Sequence, residues 1–487
     1  MSLRNVLMVA LAMLLGVISS ATPAAPAGLP GKYTTKAGLM RIGENPDSPT
    51  AELFYVAYTL DGAAPGRRPI TFCFNGGPGA SSVYLHMAAI GPMTVEMGPR
   101  GALPPLPAKL APNPQTWLHF TDLVFIDPVQ TGYSRALPGP KGEPADPAPY
   151  FEAEADLRSI AQFIRGYVSQ NDRWMSPKAI AGESYGGLRV AALSRMLMTD
   201  YDINLNRAVL ISPLLKTDLP SDDARYNLVG MMTLLPSEAA IAAAHGRSTI
   251  PSDPAELSKA LAGVEQFALG EFVSGMARLG RASPAEADAF FARIGGLTGL
   301  DPKLVAQHRG RVGAEDFAKN LLRDQSLVLD RYDGRQANDD PLPERPEFTS
   351  LDKTLTVLNG VLSGPYFDYL DRTLGYKSDR RYIMLNLAAN AKWDRSSPLG
   401  SAEDLGYALT MNSDLEAMVV HGYHDLSTPY FRSRYLLEQS VFGKNARQRL
   451  YFGAYPGGHM FYLDPASRAE FFKDVSGFYA QPSSTGR

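Results

Sequence analysis

The run Gly182-Glu183-Ser184-Tyr185-Gly186 fits the pattern G-x-S-x-G, and its surroundings suit nucleophilic chemistry. A short apolar stretch, Lys178 to Ala181, comes before it, and a helix-like stretch, Leu188 to Met198, comes after. Small flanking residues permit a sharp strand-to-helix turn that presents a serine hydroxyl at the carboxyl edge of a sheet. A serine hydroxyl is a weak nucleophile near neutral pH, so it needs a base, and the base needs an orienting acid. Downstream of such a turn the expected order is acid, then histidine. Five of the seven histidines follow Ser184. His459 stands in YPGGHMFY, a glycine turn after a strand-like run, and Asp425 ends MVVHGYHD, where a strand gives way to a loop. Both are carboxyl-edge positions, where sites in α/β sheets gather. The oxyanion of acyl transfer needs backbone N–H donors. Tyr185, just after the serine, and the loop Asn75-Gly76-Gly77-Pro78-Gly79 can supply them. His421 and His424 form H-x-x-H, but on a strand that spacing sends the two rings to opposite faces, and no third ligand is evident. No metal is expected.

The elements that must position these residues read as alternating strands and helices. Strand-like runs are Ala51 to Leu60, Pro69 to Asn75, Asp122 to Asp127, Lys178 to Ala181, Ala208 to Pro213, Glu416 to Asp425 and Arg449 to Ala454. Helical spacing marks Glu152 to Val168 and a terminal helix opened by Asp464-Pro465. Such alternation implies a mainly parallel sheet with helices on both faces. Between Leu214 and Asp340 strand-like runs vanish, and two helix starts, Asp253-Pro-Ala-Glu256 and Ser283-Pro-Ala-Glu286, carry capping residues in order. The chain therefore divides into 1–21, 22–50 (linker and N-terminal extension), a core in two parts (51–213 and 341–487), and a helical cap insertion at 214–340.

Composition removes several function classes. Apolar and charged fractions of 45% and 20% are those of a soluble globular chain, and a formal charge of −3 offers no basic excess for nucleic acid. Residues 1–21 read as a signal peptide: Arg4, then the apolar run Val6 to Ser19, then the small-x-small site Ser19-Ser20-Ala21. The apolar run is shorter than the roughly 20 residues of a membrane span. The mature protein is thus expected to be exported, periplasmic or secreted, and free of the membrane. The single cysteine, Cys73, lies in an apolar strand and excludes an intramolecular disulfide.

The motifs FNGGPGASS, NPQTW, FIDPVQTGYS, GESYGG, GYHD and PGGHM occur in an order that resembles the serine carboxypeptidases, peptidase family S10. The resemblance spans roughly Phe54 to Phe478 and is weakest in the 214–340 segment. It implies an α/β-hydrolase fold with a cap, no cofactor, and a peptide substrate with a free C-terminus. By position it implies Ser184 as nucleophile, His459 as general base and acid, and Asp425 as its partner. Gly77 and Tyr185 would form the oxyanion hole, and Asn75, Gly76 and Glu183 would hold the substrate carboxylate.

Three positions depart from the family pattern. Ala89 stands where a second glutamate pairs with Glu183, Ala80 where many members have a cysteine, and Gln130 where glycine is common. These fit a bacterial-type branch. Without a like-charged neighbour to raise the Glu183 pKa, a less acidic pH optimum than the family's is expected. An acyltransferase or esterase on the same scaffold is the alternative enzyme reading. A non-catalytic binding protein is the reading from another class, opposed by the intact triad positions. Side-chain preference and oligomeric state are not legible.

Overall fold

The computed structural model describes residues 28–481 apart from 46–47, 65, 140, 216–226, 349–351, 397–399, 401 and 441–442. The expected signal peptide therefore lies outside the described residues. Eight strands form the spine: β1 (Tyr33–Ile42), β2 (Ala51–Leu60), β3 (Ile70–Phe74), β4 (Asp122–Ile126), β5 (Lys178–Glu183), β6 (Arg207–Ile211), β7 (Glu416–Gly422) and β8 (Leu450–Tyr455). Their order across the sheet is β1-β2-β4-β3-β5-β6-β7-β8. β1, β2 and β4 pair antiparallel. From β4 to β8 every neighbouring pair is parallel. The two-residue strand Arg135–Ala136 adds to β2.

Helices cover both faces, which is why the central strands are continuous apolar runs with every residue buried. Alternate side chains of β3 enter different cores, as the period of two requires. Phe72 and Phe74 join Leu157, Ile160 and Ile164 of α1 (Ala153–Gln170), Val190 and Leu193 of α2 (Tyr185–Asp200), and Leu405 of the helix Ala402–Met411. Cys73 points the other way, into a core with Leu358, Leu362 and Tyr366 of the helix Lys353–Arg372 and with Phe471, Val475 and Phe478 of the terminal helix Pro465–Ala480. Cys73 is fully buried and its thiol is free.

The segment after β6 builds a third core on α3 (Leu228–Ala244), which is apolar around nearly its whole circumference. Packed on it are α4 (Pro254–Phe267) and α5 (Pro284–Thr298). Their starts follow local chemistry. Asp253 accepts the Ala255 N–H at the head of α4, and Ser283 and Glu286 form a reciprocal capping box at the head of α5. This segment is not purely helical, however. Leu327–Leu329 and Ala337–Asp339 pair as an antiparallel ribbon. Strands of three residues are too short to show a period-two pattern. The Pro-rich loop likewise contains Leu110–Pro112, which pairs with Met93–Val95.

Candidate active site

β5 ends at Glu183 and α2 begins at Tyr185, so Ser184 alone makes the turn, at φ 59° and ψ −123°. A side chain held there costs about 1–3 kcal/mol, which the surroundings must offset. Three backbone hydrogen bonds fix it: Ser184 N–H to the Ile211 carbonyl (3.0 Å), and Gly187 and Leu214 N–H to the Ser184 carbonyl (2.8 and 2.9 Å). The glycines follow from close approach. A Cβ at Gly182 would overlap the Gly186 carbonyl, one at Gly186 would come within 2.8 Å of the Phe74 carbonyl, and one at Gly187 would overlap Pro213. Within Ala181–Gly187 only Ser184 is not fully buried.

His459 and Asp425 meet at the same sheet edge. Asp425 follows β7 by three residues, and His459 follows β8 by four. His459 Nδ1 lies 2.8 Å from Asp425 Oδ2, with both side chains excluded from solvent. The Asp425 carboxylate also accepts the N–H groups of Ser427 (2.7 Å) and Thr428 (3.0 Å) and the Thr428 hydroxyl (2.7 Å). Burial works against the Asp425 charge, but the facing imidazole and these donors prevail and hold its pKa below the ordinary value. Burial likewise works against a charged His459, and the Asp425 charge outweighs it and raises the histidine's pKa. The His459 backbone is clamped as well: its N–H donates to the Tyr332 carbonyl (2.5 Å) and its carbonyl accepts the Ser212 hydroxyl (2.7 Å). The Tyr332 ring stands edge-on to the imidazole at 4.9 Å. Gly458 is required because a Cβ there would overlap the Tyr332 carbonyl. Among the described residues Nε2 of His459 and the Ser184 hydroxyl make no hydrogen bond with one another, a slack common in catalytic pairs before substrate binds.

The glycine-rich loop lies against the elbow. A Cβ at Gly76 would overlap the Tyr185 backbone nitrogen, and Gly77 adopts φ +101°, where glycine is favoured. Tyr185 is the first residue of α2 and so has no intrahelical acceptor for its N–H. The N–H groups of Gly76 and Gly77 also find no acceptor among the described residues. The Gly76 and Tyr185 backbones thus lie against one another next to Ser184, with their N–H groups unused among the described residues. Asn75 is held tightly: its Oδ1 accepts the Leu85 N–H (3.1 Å) and its carbonyl accepts Arg189 Nη1 (2.6 Å). Arg189 forms a fully buried two-pronged pair with Asp156 at 2.7 and 3.0 Å.

Glu183 is buried. It accepts hydrogen bonds from Asn75 Nδ2 on Oε2 and from the Tyr462 hydroxyl on Oε1 (2.6 Å). Its pKa is raised, first by burial, against the lowering effects of His459, Tyr462 and Asn75. The lack of a carboxylate at Ala89 therefore does not remove the upward pressure on Glu183, because burial supplies it. Ala89 is itself buried, and its carbonyl accepts Asn113 Nδ2 (2.9 Å), which gives the NPQTW motif a bracing role.

The residues singled out from sequence thus gather at one place. Thr428, Tyr332, Arg189 and Tyr462 also belong there and carry no short-range signal. His421 sits within β7, while His424 lies past its end and receives the Gly457 N–H on Nδ1 (3.2 Å). Among the described residues no group of three or more His, Cys, Asp or Glu could hold a metal ion, and no helix is long and apolar enough to cross a membrane.

Residues 28–242 match the family model described as serine carboxypeptidase. Similar curated proteins include serine carboxypeptidase-like 2 of Arabidopsis thaliana, 27% identical over 219 residues, covering 43% of this chain and 46% of that protein. Serine carboxypeptidase 1 of Hordeum vulgare is 32% identical over 178 residues, covering 35% of this chain and 32% of that protein. The chain spans less than half the length of these relatives. Among solved structures, Kex1(delta)p, a prohormone-processing carboxypeptidase from Saccharomyces cerevisiae, superposes with a TM-score of 0.56 at 16% identity, covering 92% of both chains. The fold is the α/β-hydrolase fold, and residues 28–242 are similar to the serine carboxypeptidases.

Proposed function

We propose, from that family match and the site's geometry, that the protein is a serine carboxypeptidase that removes C-terminal residues from peptides. The observation that carries the reading is the meeting, at one sheet edge, of a strained serine with a histidine–aspartate pair 2.8 Å apart. In this mechanism Ser184 attacks the last peptide carbonyl while His459 Nε2 takes its proton and then gives it to the leaving amine. Asp425 fixes the tautomer and stabilises the imidazolium. The N–H groups of Gly77 and Tyr185 receive the oxyanion. Water, deprotonated by His459, then hydrolyses the acyl-enzyme. Asn75, Gly76 and Glu183 hold the substrate's terminal carboxylate.

The reading extends to export. Residues 1–21 act as a signal peptide, leaving a mature protein in the periplasm or medium. The single cysteine and the departures at Ala80 and Gln130 support a bacterial-type branch. Labelling with a fluorophosphonate, followed by peptide mapping, tests the nucleophile. The adduct is expected on Ser184, with none in Ser184→Ala. Undiminished labelling of that variant would contradict the reading.

A further inference from the structure

Tyr462 lies three residues beyond His459, in the short turn Phe461–Leu463 that leads into the terminal helix. It is fully buried, and its hydroxyl reaches Glu183 Oε1 across 279 residues of sequence. Asn75 Nδ2 occupies the other carboxyl oxygen, Oε2. Among the described residues these two groups are the only hydrogen-bond partners of the Glu183 carboxyl, and neither carries a positive charge. A buried carboxyl with one fixed donor on each oxygen has no freedom to rotate. That constraint passes to Asn75, whose amide nitrogen has two hydrogens. One is committed to Glu183. Asn75 also interacts with the Tyr462 hydroxyl, and its second hydrogen can serve a ligand carboxylate beside the unused Gly76 N–H. With Oδ1 and the backbone carbonyl of Asn75 already occupied by Leu85 and Arg189, the amide's direction is settled on every side.

We infer that Tyr462 is a positioning residue for recognition of the free C-terminal carboxylate. By holding Glu183 Oε1 it keeps Oε2 on Asn75, and so aims the remaining amide hydrogen and the Gly76 N–H at a single carboxylate. The inference deepens the carboxypeptidase reading and rests on it. Among the described residues no hydrogen bond joins Tyr462 to Ser184, His459 or Asp425, so its loss bears on binding rather than on the chemical step. The competing role is structural: Tyr462 would merely tether the loop that carries His459, and its loss would then slow the chemical step for every substrate.

Tyr462→Phe, compared on a blocked dipeptide and on the same peptide as its C-terminal amide, separates the two. The expected result is a KM for the free acid raised about ten-fold or more, the scale of one hydrogen bond to a charged group. The kcat should stay within about two-fold, and the KM for the amide should not move. In a Glu183→Gln background the same substitution should add little, since both act through one carboxyl. Glu183→Gln alone should show the same free-acid-selective rise, which keeps the test decisive should Tyr462→Phe not fold. A fall in kcat shared by both substrates, or no change with either, overturns the inference while leaving the carboxypeptidase reading in place. A wild-type protein that cleaves neither peptide overturns both.

Discussion

At His459 burial and the Asp425 charge oppose one another, and the charge prevails, so the imidazole's pKa lies above its ordinary value. A general base acts only when neutral. The acidic limb of kcat/KM should therefore fall above the usual histidine range near about 6.5, and activity should rise as pH rises through it. Asp425→Asn removes the charge that raises this pKa. The limb should move to lower pH while kcat drops by roughly 10⁴-fold. An optimum confined below pH about 5 in the wild type would contradict this account. Ser184, His459 and Asp425 were legible because a glycine-framed serine and two strand-end residues announce a sheet edge. Their clamps were not. Tyr332 reaches His459 from far upstream, in the loop of a small ribbon, and Thr428 becomes a ligand of Asp425 only once the chain turns back. The expected consequence of Ala89 was only half the physics, because carboxyl burial cannot be read from residue types alone.

At the scale of elements, the site depends on two turns whose glycines leave no room. In the turn that carries His459 a methyl group at Gly458 would strike the Tyr332 carbonyl. Gly458→Ala should displace His459 and cut kcat by at least about 10²-fold, the scale of a misplacement near 1 Å. Fluorophosphonate labelling kinetics check this, with the thermal midpoint measured alongside to show that the variant folds. The parallel strands were readable because burial on both faces makes them continuous apolar runs. β1 was not, since it is an outer strand whose burial alternates and which carries Lys36, Gly38 and Arg41. The helix Lys353–Arg372 was hidden by Gly360, Gly364 and Pro365 within it. Such residues argue against a helix locally and are overridden by packing of Leu358, Leu362 and Tyr366 against the sheet.

At the scale of the molecule, stability rests on three apolar cores rather than on cross-links. A reducing agent should therefore leave the thermal midpoint unchanged, a result that differential scanning calorimetry reads directly. Phe72→Ala, in the core shared by β3 and α1, should cost about 3–5 kcal/mol in denaturant unfolding, through lost burial and the cavity left behind. The mainly parallel sheet and the helical stretch after β6 follow from the alternation and then the loss of strand-like runs, whereas the order of the strands does not. The ribbon at its end does not, because three-residue strands leave no period to detect.

The central claim is that Ser184 drives removal of residues from free C-termini. A peptide-library digest read by mass spectrometry tests it most directly, with wild type and Ser184→Ala run side by side. Wild type should yield products shortened stepwise from the C-terminus and cut amidated peptides with a lower kcat/KM, and the variant should lose at least about 10⁴-fold in rate. Internal cleavage, or equal digestion by Ser184→Ala, would contradict it.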